Sequence, residues 1–151
     1  MSSIKPLLEG HELFVVQQTA TVQTAAEYLA RNNIGAVPVM NEMRLVGIFS
    51  ERDVINRVVA KSLNPIAVKV ADVMTTNLVV ADIDESHESC LKKMKQANCR
   101  HLPIIDGQNL VGMISVRDLL DVEISEKDDA IHFLKDYMFH VPAGLEKKYA
   151  K

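Results

Sequence analysis

Gly47-Ile48-Phe49-Ser50-Glu51-Arg52-Asp53 occurs a second time in the chain, as Gly112-Met113-Ile114-Ser115-Val116-Arg117-Asp118. The offset is 65 residues at both ends of the stretch, and Pro38 and Pro103 obey it too. Residues 38–53 and 103–118 share seven identities in sixteen positions. Segments of ordinary composition would share about one by chance. The chain is therefore internally duplicated, and a duplication must be settled before a fold is assigned.

Each copy reads as a strand running into a helix. Leu45, Val46, Ile48 and Phe49 form an apolar, partly β-branched run broken by Gly47. Ser50 suits an N-cap, and Asp53 follows at the spacing of a capping box. Val54, Ile55, Val58 and Val59 then recur at helical spacing. Ser115 and Asp118 stand in the same relation, followed by Leu119 and Leu120. Two helix caps with no further role satisfy this spacing. The arginines argue for more. Arg52 and Arg117 fall in the first helical turn, where the macrodipole disfavours cations. A bound anion reverses that balance, because helix-start amides and a guanidinium fork both suit phosphate. The preceding glycine lets a ligand come close to the backbone.

The pattern Gly-apolar-apolar-Ser-x-x-Asp, preceded by strands ending in Pro38 and Pro103, resembles the CBS domain, the domain of cystathionine β-synthase. Two in tandem resemble a Bateman module, and the likeness covers roughly residues 10–121. The resemblance implies an α/β (α+β) fold of two β-α-β-β-α repeats, as in small stand-alone bacterial CBS-pair proteins. The boundaries it suggests are 1–68 for the first repeat with its lead-in, 69–123 for the second, and 124–151 for a C-terminal helix and tail. It also implies clefts between the repeats that bind adenosine-containing ligands such as AMP, ADP, ATP or NAD.

Carried over residue by residue, the resemblance builds each cleft from both repeats. The first would set Ser50, Arg52 and Asp53 against Leu78, Val79, Arg100, His101 and Leu102. The second would set Ser115, Arg117 and Asp118 against Leu13, Phe14, Gly35, Ala36 and Val37. The Asp is expected to accept ribose hydroxyls, Ser and Arg to reach phosphate, and apolar strand residues to flank adenine. The first cleft has more cationic groups, since Gly35 and Ala36 replace Arg100 and His101 in the second. It is therefore the one expected to take a multiply charged phosphate ligand.

The rest of the chain sets bounds. At 151 residues, 48% hydrophobic and 25% charged, the composition is that of an ordinary globular protein. A net charge of −3 offers no basic field for nucleic acid. No apolar run approaches the ~20 residues of a membrane span, and the N-terminus has no signal-peptide pattern, so a cytoplasmic location is expected. Leu13–Val16 and Leu78–Val80 read as the first strand of each repeat. Val22, Ala25, Ala26, Leu29 and Ala30 trace an amphipathic helix, with Thr21 or Thr24 as cap and Asn32-Asn33 at its end. Residues 36–40, 102–105 and 110–114 read as strands, with Asp106-Gly107 as a hairpin signal. Pro38 implies a missing ladder partner or an edge. Residues 1–12 read as a polar lead-in and 71–74 as a short helical turn. A helix through Ile131, Leu134, Tyr137 and Met138 is expected to begin near Glu126, with a frayed end over 141–151.

Neither cysteine fits a metal or CxxC spacing. Cys90 reads as core packing, and Cys99 leaves open a redox-sensitive thiol beside the cleft. The histidines His11, His87, His101, His132 and His140 show no metal-binding spacing. No nucleophile, base and orienting group stand in a defined relation, so neither an enzyme nor a catalytic cofactor is expected. The expected role is a regulatory sensor of adenine nucleotides that signals to an effector protein. The alternative is a ligand-free interaction scaffold. The apolar residues Val54, Ile55, Val58, Val59, Leu119 and Leu120 are expected to form a homodimer face.

Overall fold

The computed structural model describes residues 3–138, with side chains described as far as His132. His140, the end segment 141–151 and the side chains of Leu134, Tyr137 and Met138 lie outside it. The elements are α1 (Lys5–Leu8), β1 (Val16–Gln17), α2 (Val22–Asn32), β2 (Ala36–Asn41), β3 (Arg44–Ser50), α3 (Glu51–Asp53), a π-helical turn (Val54–Val59), α4 (Val70–Val73), β4 (Ala81–Asp82), α5 (His87–Ala97), β5 (His101–Asp106), β6 (Asn109–Ser115) and α6 (Val116–Met138). The duplication pairs five elements of one repeat with five of the other. Adding 65 to the bounds of α1, β1, α2, β2 and β3 gives the bounds of α4, β4, α5, β5 and β6. Two three-stranded sheets result, ordered β1-β2-β3 and β4-β5-β6, each with one parallel and one antiparallel pair. Even the register shift recurs, after Val39 and after Ile104.

Local chemistry explains the boundaries. Thr21 caps α2 by accepting from the Thr24 amide, and Ser86 caps α5 by accepting from Ser89. Both helices end on an asparagine in the left-handed region, Asn33 at φ 53° and Asn98 at φ 52°. Asparagine tolerates that conformation better than most side chains. Pro38 lies in the central strand β2, opposite Ile48. Strand β1 begins its pairing one residue later, at Val39, and Ile48 exchanges its backbone bonds with Thr75, so Pro38 stands beyond the end of one ladder.

Several expectations are corrected. The first strand of each repeat is only Val16–Gln17 and Ala81–Asp82, so Leu13–Val15 and Leu78–Val80 are extended chain outside the sheets. Each is a parallel edge with room for two pairs, Val16 with Val39 and Gln17 with Met40 in the first repeat. Residues 126–138 are helical, but as the continuation of a helix that starts at Val116. The segment after Asp53 is π-helical, with Ala60 N–H donating to the Ile55 carbonyl at 2.8 Å. The apolar surface expected to pair two copies is narrower than its sequence suggests. Val58 and Leu119 are fully buried and Val54 is half-buried, which leaves Ile55, Val59 and Leu120 exposed.

The lead-in is not a polar tail. Ile4 is fully buried, its amide donates to the Glu85 carbonyl at 2.9 Å, and Ser3 bridges to Ser86. Leu8 lies over Gly112, close enough that a Cβ there would meet its Cδ2 at 2.7 Å. In the matching place, Gly47 is covered by Met74 and the Thr75 carbonyl. Each repeat therefore lends its leading helical turn to the other. α1 docks on β6, while α4 places Val70 and Val73 in the core of the first repeat beside Val22, Leu29, Val39 and Phe49. This exchange joins the two sheets and leaves a cleft at their seam.

Residues from Arg117 onward form a second unit. Its helix carries Leu119 buried, with Leu120, Ile124 and Ile131 exposed.

Candidate functional site

The cleft follows from three local events. Strand β3 ends at Ser50 and turns into α3, presenting Ser50, Glu51, Arg52 and Asp53 together. Glu51 N–H donates to the Gly35 carbonyl at 2.9 Å, which draws the start of β2 beside that turn. From the second repeat, the left-handed residue Asn98 ends α5 and swings Cys99, Arg100 and His101 to the same place. Thr75 closes the floor through a two-bond backbone bridge to Ile48, at 2.8 and 2.9 Å. The cavity is about 360 Å³ and is also lined by Asn77, Val79 and Ala97. That lies within the usual range for small-molecule sites, roughly 300–1,000 Å³.

Asp53 is the buried charge of the site, at 6% exposure. Its Oδ2 accepts from the Ser50 amide at 3.0 Å and from the Ser50 hydroxyl at 3.2 Å. Its own amide donates to Ser50 Oγ at 3.3 Å, so the capping box is complete. Its Oδ1 accepts from the Thr75 hydroxyl at 3.2 Å and faces Arg57 Nε at 3.6 Å. The first-turn amides of Glu51 and Asp53 are thus taken, by Gly35 and Ser50. The single proton of the Ser50 hydroxyl is also spent on Asp53, so it must rotate before it can donate to a phosphate. The mouth keeps its charges available. Arg52, Arg100 and Glu51 are exposed, and among the described residues none of them has an ion-pair partner. The Glu51 carboxylate lies over Gly35, 3.1 Å from where a Cβ would stand.

Of the residues expected in the first cleft, the structure brings together Ser50, Arg52, Asp53, Val79, Arg100 and His101. Leu78 is not in the lining, and neither is Leu102, which is fully buried on β5. Gly35, placed in the second cleft by sequence, lines the first. The other residues named for the second cleft are spread in character. Leu13 is exposed, Phe14 packs edge-on against Tyr28 with ring centres 6.1 Å apart, and Ala36 and Val37 are buried. Ser115 ends β6, and Arg117 and Asp118 lie in the first turn of α6. Sequence reasoning missed Thr75, Asn77, Asn98 and Glu51. The first two follow directly on the Asp72-Val73-Met74 element, and that adjacency was the available signal.

Cys99 lines the cleft, and burial pushes its thiol above the ordinary range. Cys90 is fully buried, and desolvation with the nearby Glu85 charge raises it to about 11. Both shifts work against the thiolate, the form that reacts. Among the described residues no group of three His, Cys, Asp or Glu side chains could hold a metal ion. None of the described helices is long and apolar enough to cross a membrane.

Comparison with known proteins agrees with this architecture. The CBS-domain family model matches residues 8–60 and again 70–125. The CBS domain-containing protein YhcV of Bacillus subtilis (strain 168) is 33% identical over 127 residues, which is 84% of this chain and 89% of that protein. The crystal structure of the CBS-domain containing protein ATU1752 from Agrobacterium tumefaciens superposes with a TM-score of 0.74 at 27% identity, over 81% of this chain and 99% of that one. CBS domain protein PAE2072 from Pyrobaculum aerophilum, solved in complex with AMP, has a TM-score of 0.71 at 25% identity and covers 83% of this chain and 99% of its own. With two matched repeats and two sheets built on one plan, the chain belongs to the CBS-domain family as a tandem pair.

Proposed function

We propose that the cleft over Asp53 binds an adenosine-containing ligand of the AMP class and that the chain acts as a regulatory sensor of that ligand. The observation that carries this reading is the meeting in one cavity of a buried carboxylate with two guanidinium groups, Arg52 and Arg100, that have no ion-pair partner among the described residues. Arginine suits phosphate through its planar fork, and a charged carboxylate suits vicinal hydroxyls. Val79 and Ala97 supply apolar wall for a base. A family member complexed with AMP supports the ligand class. Glu51 at the same mouth opposes a polyphosphate, so AMP is the first ligand to test, ahead of ATP and NAD. By the 65-residue offset, the second cleft would have Gly10 for Thr75, Glu12 for Asn77, Gly35 for Arg100 and Ala36 for His101, a poorer set for an anion.

A second reading has its own support. The complete capping box and the Thr75 and Arg57 partners occupy Asp53 without any ligand. On that reading the module is an interaction scaffold. Thermal unfolding of ligand-stripped protein separates the two. A ligand at about 100 times its Kd stabilises by about 2.7 kcal/mol, or roughly 5–10 °C for a chain of this size. AMP should raise the midpoint by that order and GTP by less. A flat response to AMP, ATP and NAD alike would favour the scaffold.

We further propose that two copies associate. Ile55 and Val59 are 60% and 66% exposed one turn apart, and Leu63 and Ile66 are exposed nearby in sequence. Exposed apolar groups of this size mark interfaces when they are contiguous. A purely monomeric sedimentation profile at micromolar concentration would exclude it. An effector protein remains the expected recipient of the signal.

A further inference from the structure

Arg57 is absent from the cleft lining yet is tied to its floor. One side of its guanidinium donates through Nη1 to the carbonyls of Val73 at 3.2 Å and Met74 at 2.9 Å, at the C-terminal end of α4. The other side sets Nε 3.6 Å from Asp53 Oδ1. Thr75, the next residue of that connector, donates its hydroxyl to the same oxygen at 3.2 Å. A single carboxylate oxygen therefore holds residues 73–75 by two routes, directly through Thr75 and indirectly through Arg57. The segment carrying Arg57 is the π-helical turn, a local form that often accompanies function. The duplicated positions do not carry this arrangement. The 65-residue offset puts Val122 in place of Arg57 and Gly10 in place of Thr75, and α6 is α-helical throughout.

We infer that Arg57 is a positioning residue for the ligand cleft, coupling occupancy of Asp53 to the docking of the 70–75 connector on β3. The inference rests on the adenosine-ligand reading of the cleft. A carboxylate offers about four lone-pair sites, and Asp53 already accepts three hydrogen bonds. One ligand hydroxyl fits the remaining site, and a second must displace a bond. The Ser50 amide is fixed by the backbone, whereas the Ser50 and Thr75 hydroxyls can both rotate; of the two, only the Thr75 hydroxyl shares Oδ1 with Arg57, and it is the one a ligand hydroxyl at Oδ1 displaces. Binding of a diol then exchanges the Thr75 bond for a ligand bond and leaves Arg57 as the tie between Asp53 and the connector. Such coupling is reciprocal: ligand changes the connector, and loosening the connector changes affinity.

Titration of full-length wild type, Arg57→Ala, Arg57→Lys, Asp53→Asn and the Asp53→Asn/Arg57→Ala double variant with AMP tests this, with amide hydrogen exchange of Ile48 and Thr75 as a second readout. Arg57→Ala should weaken AMP by roughly fivefold or more, within the usual span of coupling between sites. It should add nothing in the Asp53→Asn background, because it acts through that carboxylate. Arg57→Lys should recover part of the loss. AMP should alter Thr75 exchange in wild type and less in Arg57→Ala. Additive losses, or unchanged affinity in Arg57→Ala where Asp53→Asn weakens binding, would overturn the positioning role alone. No AMP binding by wild type, or no effect of Asp53→Asn, would overturn the ligand reading and this inference with it. If Arg57→Ala fails to fold, Arg57→Lys and Thr75→Val carry the same comparison.

Discussion

Asp53→Asn is the substitution that separates a ligand site from a helix cap, and the structure sets its size. The Asn carbonyl oxygen can replace Oδ2 and keep both bonds from Ser50, which preserves the capping box. The amide nitrogen then falls where Oδ1 faced Thr75 and Arg57. The Thr75 hydroxyl can turn and accept, but Arg57 Nε meets another donor. At 6% exposure, little water is available to relieve that conflict. Losing one charge-assisted contact and opposing two donors should cost about 1–3 kcal/mol. At roughly 2–4 °C per kcal/mol for a chain of this size, the midpoint should fall by roughly 2–12 °C. AMP affinity should fall about tenfold or more, because the charge that accepts ligand hydroxyls is gone. Calorimetric titration and a thermal melt on the same preparation measure both. Val22→Ala, in the buried core on α2, is the control: it lowers the midpoint without touching Asp53. A lowered midpoint with AMP affinity unchanged in Asp53→Asn would make the Ser-x-x-Asp turn a cap only and refute the site.

Arg100→Ala removes an exposed cation with no ion-pair partner among the described residues, so stability should hold within about 0.5 kcal/mol; AMP should weaken about tenfold and adenosine hardly at all, by calorimetry. Gly47→Ala would put a Cβ 2.6 Å from Met74 Sδ and 2.9 Å from the Thr75 carbonyl, whereas at Gly112 it meets Leu8 side-chain carbons. Because Thr75 is bridged to Ile48, Gly47→Ala should destabilise by about 1–3 kcal/mol, and Gly112→Ala by less, in denaturant melts. Burial alone would raise Glu85, but hydrogen bonds from Lys93, the Asp82 amide and Ser89, with the Lys93 charge, hold it below its ordinary value of 4.5. Its contribution is full above that value and is lost as pH falls through the lowered one; since Lys93 is about a third exposed, it is below about 1 kcal/mol, and the stability gap between wild type and Glu85→Gln should close on acidification. Thiol labelling of native protein should modify Cys99 slowly and Cys90 only on unfolding, with AMP slowing Cys99 further.

The repeat was legible because it is written in identities: Pro38 with Pro103, Gly47 with Gly112, and Ser-x-Arg-Asp twice. That one offset foretold the sheets, the two amphipathic helices and the turn that carries Ser50, Arg52 and Asp53. The cross-building that brought Arg100 and His101 to that turn came from family resemblance, and the cavity agrees with it. What stayed hidden is tertiary. Ile4 and Leu8 look like an apolar accident in a polar lead-in until β6 supplies the surface that buries them. Leu13–Val15 and Leu78–Val80 have strand composition, but neither stretch finds a partner strand. Thr75 is signalled only by its adjacency to the Asp72-Val73-Met74 element; its bridge to Ile48 is what places it over Asp53. The π turn after Asp53 is equally silent in sequence, since Val54, Ile55, Val58 and Val59 fit an α-helix just as well. Gly35 was read as the weaker counterpart of Arg100, and the Glu51–Gly35 backbone bond moved it to the same cleft.

Equilibrium dialysis of labelled AMP against ligand-stripped wild-type protein tests the central claim most directly. Saturable uptake of about one AMP per chain, displaced by unlabelled adenosine and weakened in Arg100→Ala, is the predicted result. No saturable uptake of AMP at millimolar concentration, with the protein folded by its thermal melt, would contradict it.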